Sequence, residues 1–137
     1  MNVAYLDTNV IIRYITGDDP QKQAAAAELF ERIERRELEV VIPLPVIDEA
    51  SYVLASNRNY GLPWNQVADL LSALIRNPGI RVENKALVIE ALSIVKANRI
   101  DFGDAYIVAL MRRTTDAIVY SWDQDFDSFS DIERREP

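Results

Sequence analysis

Short apolar runs alternate along the chain with longer stretches of helical period. The first seven residues run apolar into Asp7, as a short buried strand does. Asn9 to Ile15 reads as a short helix ended by Thr16-Gly17. Asp19-Pro20 is an N-cap followed by proline at the first helical position, and the helix it opens runs to about Arg36. Ala24, Ala27, Leu29, Phe30 and Ile33 supply its apolar side. Glu39 to Ile42 is short and β-branched, a second strand. Pro43 and Pro45 launch a helix over Val46–Arg58, and Pro63 opens another that reaches Ile75. Asn77-Pro78-Gly79 stops it, and Ile80–Glu83 is a weaker strand.

Ala86–Ala97 has a helical period in Leu87, Ala91, Leu92 and Val95, and a further helix is expected over Asp104–Arg113. Ala117–Tyr120 reads as a strand, Ser121–Asp127 as a loop, and the tail beyond Asp131 as a short edge strand. Strands that alternate with helices pair in parallel through right-handed crossovers. The expected architecture is a single α/β domain over residues 1–137, with ligands at the edge where the strand C-termini gather.

Composition narrows the chemistry. The 137 residues contain neither Cys nor His, which excludes disulfides, thiolate or imidazole zinc sites, and Ser-His or Cys-His nucleophile pairs. Any catalysis must use carboxylates, Lys, Tyr or a carboxylate-held metal. With 15 Lys and Arg against 22 Asp and Glu, the net charge is −7, which disfavours gripping nucleic acid by overall field. A local basic rim remains compatible with it. No apolar run is long enough to span a membrane. The start has no basic segment and meets a charge at Asp7, unlike a secretory signal, so a cytoplasmic protein is expected.

Most acids fit polar helix faces or surface turns. Asp7, Glu49, Asp104, Asp123 and Asp125 are placed differently. Asp7 ends the first strand, where it either caps the next helix or projects a carboxylate at the sheet edge. On a helical projection from Val46, Glu49 falls at about −60°, on the border of the apolar stripe, and Asp48 at about 200°, facing water. Asp104 shares an arc with Val108 at about 40°, Met111 at about −20° and Ile107 at about −60°, which places it inside the apolar face. A lone carboxylate there protonates unless donors or a cation meet it. Alternatively, Asp101 is the N-cap and Asp104 its partner three residues on. Asp123 and Asp125 follow the strand ending at Tyr120, where a hydrogen-bonded turn also accounts for them.

Taken together, strands and helix starts can bring these groups to one sheet edge. Two like charges about 5 Å apart repel by roughly 3 kcal/mol at an effective dielectric of 20, so four gathered carboxylates cost on the order of 10 kcal/mol. Protonation or a bound cation must relieve that, and oxygen-only ligands point to Mg²⁺ or Mn²⁺.

Four segments carry a family resemblance: Tyr-Leu-Asp-Thr-Asn-Val-Ile around Asp7, Val-Ile-Asp-Glu-Ala-Ser-Tyr-Val-Leu around Glu49, Asp-Phe-Gly-Asp-Ala-Tyr-Ile-Val-Ala around Asp104, and Ser-Trp-Asp-Gln-Asp-Phe around Asp123. In this order and spacing the chain resembles the PIN-domain nucleases, and among them the VapC-type toxins of bacterial and archaeal toxin–antitoxin pairs. The resemblance implies about five parallel strands with helices on both faces, and metal-dependent endoribonuclease activity. It makes Asp7, Glu49, Asp104 and Asp123 the acidic quartet, with Asp7, Asp104 and Asp123 as metal ligands. Asp125 becomes an additional acid, with Thr8 and Asn9 as supporting residues. It further implies an RNA substrate, a cognate antitoxin whose basic segment enters the acidic cleft, and a homodimer. Trp122 and Gly103 are mild departures, standing where a smaller aromatic and alanine are more usual. Arg13, Arg58, Arg112 and Arg113 are the candidate RNA contacts.

Two other readings share parts of the pattern. A phosphoryl-handling domain of the receiver or haloacid dehalogenase-like kind also places acids after its first strand, but here Thr8-Asn9 follow Asp7 and no suitably placed lysine follows a later strand. A non-catalytic PIN-like binding module would keep the fold without the chemistry.

Overall fold

A computed structural model describes residues 3–137. The first strand is Val3–Tyr5 (β1); the expected start of that strand, at residues 1 and 2, lies outside the described residues. Asp7 follows, and its carboxylate accepts the Thr8 backbone N–H at 2.8 Å, capping α1 (Thr8–Ile15). Asp19 accepts the Lys22 N–H at 3.1 Å and starts α2 (Pro20–Glu34) with proline in its first turn. β2 (Glu39–Val41) leads through Pro43 into α3 (Leu44–Ala55). Then come α4 (Trp64–Ile75), β3 (Ile80–Arg81), α5 (Lys85–Asn98), α6 (Phe102–Met111), β4 (Ile118–Tyr120) and β5 (Glu133–Arg135). Residues Gln124–Ser128, expected as plain loop, form a 3₁₀ turn capped by Asp123.

Every strand pair is parallel. β2 lies between β1 and β3, with Ala4 opposite Val40 and Val40 opposite Ile80. β4 pairs with β5 through Ile118–Glu133 and Tyr120–Arg135. The five expected strands are therefore present, but among the described residues they pair as three plus two rather than as one ladder. The segments are only two or three residues long, which limits the hydrogen bonding available to each.

Alternation along the three-stranded ladder is sharp. Leu6, Val40, Ile42, Ile80 and Val82 are buried on one face, while Val3, Tyr5 and Arg81 on the other are exposed. The buried face meets Ile11, Phe30, Ile33, Ile47, Leu54 and Leu71 from the helices in one continuous core. Each such side chain contributes on the order of 2 kcal/mol of transfer free energy. α5 packs between α4 and α6, and α3 touches both α1 and α6.

Backbone approach is closest at Gly79. A Cβ there would stand 2.6 Å from the Ile33 carbonyl oxygen and 2.7 Å from its Cγ2. Ile33 is fully buried and cannot retreat, so glycine lets the entry to β3 pass against the end of α2.

Two helix starts shift by two residues because of their caps, and α3 ends at Ala55 rather than the expected Arg58. α3 begins at Leu44, two residues early, since Pro43 is extended at φ −63° and ψ 148° and serves as the N-cap residue. α6 begins at Phe102 rather than Asp104, because the Asp101 carboxylate accepts the Asp104 N–H at 2.8 Å. The consequence is functional: Asp104 is the third residue of α6, in its first turn, rather than its first residue. No helix among the described residues is long and apolar enough to cross a membrane.

Candidate functional site

Asp7 follows β1, α3 follows β2 and Asp123 follows β4, so the acids of interest collect at the carboxyl-end edge of the strands. They divide into two groups with different surroundings.

The first group is built on α6 and the segment after β4. Asp104 is half-buried and faces other acids. Desolvation, then the negative charges of Asp101 and Asp123, push its carboxyl pKa up to about 6. The Asp123 N–H donates to Ser121 Oγ at 2.9 Å, and the Asp123 carboxylate accepts the Asp125 N–H at 2.9 Å. This turn folds Asp125 back beside Asp123, with Phe126 and Phe129 buried beneath as anchors. One carboxylate oxygen from each of Asp104, Asp123 and Asp125 then lies within 4.8 Å of the other two. Asp123 and Asp125 are both exposed, so the trio opens to solvent.

A residue that sequence reasoning did not single out holds this turn. Arg134 on β5 makes a bidentate contact to Asp127 at 2.9 and 3.0 Å and donates to the Ser121 carbonyl at 3.0 Å. Its side chain is only 13% exposed, so these bonds are better shielded than most surface pairs. Both ends of the segment that carries Asp123 and Asp125 are thus tied to β5. One of two adjacent arginines in an acidic tail carries no sequence signal for that role.

The second group is built on α1 and α3. Thr8 is 4% exposed, and its hydroxyl donates to Glu49 Oε2 at 3.0 Å, joining the start of α1 to α3. Asp7 is exposed and spends one oxygen on its capping bond. Asn9 is exposed one residue beyond Thr8. Neither Asp7 nor Glu49 belongs to the close trio, which takes Asp104 and Asp123 from the quartet and adds Asp125.

Two orientations differ from the helical projection, and Asp48, exposed as expected, has unexpected surroundings. Ile107 is 39% exposed, whereas Phe102, Ala105, Val108 and Ala109 are buried, so Asp104 lies on the border of the buried stripe of α6, not inside it. Ile107 is apolar without being core, and counting it rotated the stripe. On α3 the buried residues are Ile47, Ala50, Ser51 and Leu54, which turns Glu49 fully outward. Asp48, expected to face water alone, has its carboxyl pKa raised by desolvation and by Asp101. Asp48, Glu49, Tyr52, Trp64, Asp101 and Gly103 line a groove of about 450 Å³ between α3 and the start of α6.

Among the candidate RNA contacts, Arg13 pairs with Asp18 at 3.1 Å, Arg112 with Asp131 at 2.8 Å, and Arg113 with Glu90. Arg58 lies in the turn between α3 and α4.

The PIN domain family model matches residues 4–132, nearly the full length. The chain belongs to the PIN-domain family and has its nuclease-like fold, which generally serves metal-dependent ribonucleases. No curated protein matches the chain. The trio suits the divalent ion such enzymes need: three carboxylate oxygens at close spacing, with no His or Cys in the chain, form a hard, anionic site for an oxygen-seeking cation.

Proposed function

We propose that this protein is a Mg²⁺- or Mn²⁺-dependent endoribonuclease and the toxin of a VapBC-type toxin–antitoxin pair. The observation that carries the reading is the convergence of Asp104, Asp123 and Asp125, where an acid with its pKa raised to about 6 stands against two others at the edge a PIN fold uses for chemistry. Asp104 and Asp123 hold the ion, Asp125 adds an oxygen, and Asp7 faces the same edge from β1. When bound, the ion neutralises phosphoryl oxygens and acidifies a coordinated water.

The chain's own groups do the rest. Glu49 has one oxygen occupied by the Thr8 hydroxyl, which orients the other to take a proton from the attacking water. The water oxygen bonds to phosphorus as the bond to the 3′ oxygen breaks, leaving a 5′-phosphate and a 3′-hydroxyl after the leaving oxygen is protonated by solvent. Asp101 holds the α6 backbone at Asp104 through its capping bond and so fixes the direction of that carboxylate. In this reading the protein works in the cytoplasm as a homodimer. A basic antitoxin segment covers the acidic edge, as a net charge of −7 favours.

The test is cleavage of single-stranded RNA with and without divalent metal, followed by 5′-end sequencing of the fragments. Wild type is expected to cut only with Mg²⁺ or Mn²⁺, and Asp104→Asn to be inert while keeping its circular dichroism. Full activity in that variant removes the assignment. A folded wild type that binds Mn²⁺ but never cuts points instead to a binding module.

A further inference from the structure

An acidic nuclease must still hold a polyanion, and the ion pairs narrow down which cations are available to do so. Ten pairs engage nine of the 15 Lys and Arg residues, Arg134 twice. Among the described residues Lys22, Arg36, Arg58, Arg76, Lys85 and Arg99 form none. Lys85 donates instead to the carbonyls of Asn77 and Ile80. Arg36, Arg58, Arg76 and Arg99 all follow helix C-termini. Lys85 and Lys22 both sit in first helical turns, but only Lys85 spends its ammonium on backbone carbonyls, and Lys22 is exposed.

The position of that turn follows from the topology. α2 is 15 residues long, about 22 Å, and must return the chain to the start of β2, which runs parallel to β1. Its first turn therefore lies toward the edge where β1 delivers Asp7. There Lys22 lines a groove of about 250 Å³ between α1 and α2 with Asn9, Val10, Arg13, Ala25 and Ala26. The alanines keep the groove open, and Asn9 is two residues from Asp7. Arg13 faces it from one turn further along α1. Its partner Asp18 also accepts from the Tyr60 hydroxyl at 2.7 Å and from the Thr16 hydroxyl at 2.9 Å, so Asp18 stays hydrogen-bonded when Arg13 turns away.

From this placement we infer that the groove between α1 and α2 is a phosphate subsite for the RNA backbone, with Lys22 as its principal cation and Arg13 as its second. The inference rests on the nuclease reading above. The Lys22 backbone N–H is fixed by Asp19, so the side chain can be exchanged without disturbing the cap.

Binding of a labelled single-stranded oligoribonucleotide to Asp104→Asn protein, read by fluorescence anisotropy over a salt series, tests it independently of cleavage. Adding Lys22→Glu is expected to weaken binding about tenfold at low salt, and the plot of log affinity against log salt should flatten by about 0.7 for the lost contact. Lys22→Arg should restore both. A merely structural role for Lys22 leaves the slope unchanged. Unaltered affinity and slope in Lys22→Glu overturn the subsite. If wild type fails to cut RNA yet Lys22→Glu still flattens the slope, the nuclease reading falls and the subsite stands.

Discussion

The two halves of the acidic edge solve opposite problems. On the α1–α3 side, Asp7 and Glu49 each meet a donor: Asp7 takes the Thr8 N–H and Glu49 takes the Thr8 hydroxyl. On the α6–β4 side, Asp104 is partly desolvated and meets mainly other acids, and the two effects together raise its carboxyl pKa to about 6. The first half is locally satisfied and therefore well positioned. The second half is short of positive charge, and a divalent ion answers that shortage. A group that is satisfied can orient water; one that is frustrated can hold a cation. The difference assigns distinct roles to residues of one chemical type.

Removing charge from the frustrated half should have the largest effect. Asp104→Asn is expected to lower cleavage by at least about a hundredfold, since even the outer partners of metal ligands cost ~10–100-fold. It should also abolish metal-dependent stabilisation. For wild type, Mn²⁺ at a hundred times its Kd should add about 2.7 kcal/mol, visible as a raised Tm. An unchanged Tm with Mn²⁺ in wild type would contradict the assignment of the trio. Arg134→Ala leaves every acid in place but frees the turn that carries two of them, and a smaller loss of activity is expected, with metal affinity reduced about tenfold. Isothermal titration with Mn²⁺ reads that directly.

In the satisfied half the substitutions separate capping from charge. Asn caps a helix as well as Asp does. Asp7→Asn should therefore keep stability and lose activity, whereas Asp7→Ala should lose both, with about 1 kcal/mol of stability gone. Equal activity in Asp7→Asn and wild type would confine Asp7 to its capping role. Thermal unfolding and RNA cleavage on the same preparations distinguish these outcomes.

The same contrast explains what was legible in the sequence. Element order was readable because Pro20, Pro45, Pro63 and Gly79 punctuate the chain and the apolar periods between them are long. The link between Asp7, Glu49, Asp104 and Asp123 rested on motif order, which brings acids to one edge but says nothing of their individual contacts. Helical projection placed Asp104 wrongly because it treats every apolar residue as core, and exposed Ile107 is not. Asp48 gave no warning, because the charge that adds to its desolvation is Asp101, 53 residues further on. Arg134 is non-local to a lesser degree: Ser121 precedes the 3₁₀ turn and Asp127 lies within it, 13 and 7 residues before Arg134. The pairing of strands as three plus two depends on strand lengths that differ by a residue or two, below what apolar runs can define.

The smallest expected effect is the most specific to the contrast, because it needs neither RNA nor metal. In metal-free protein the folded state holds the Asp104 proton to about pH 6, while the unfolded chain releases it near the ordinary value of 3.8. Between those limits the folded state binds more protons than the unfolded one, so this carboxyl makes stability fall as pH rises from about 4 to above 6. Undamped, a displacement of that size corresponds to about 3 kcal/mol. The site is largely open to water, and screening reduces the expected loss to about 1 kcal/mol. Asp104→Asn should therefore be more stable than wild type at pH 7.5 in EDTA and indistinguishable from it near pH 4, where the wild-type carboxyl is already protonated when folded. Urea melts of the two proteins at both pH values decide the matter, and a wild type that matches Asp104→Asn at pH 7.5 would mean that neither burial nor the charges of Asp101 and Asp123 burden Asp104.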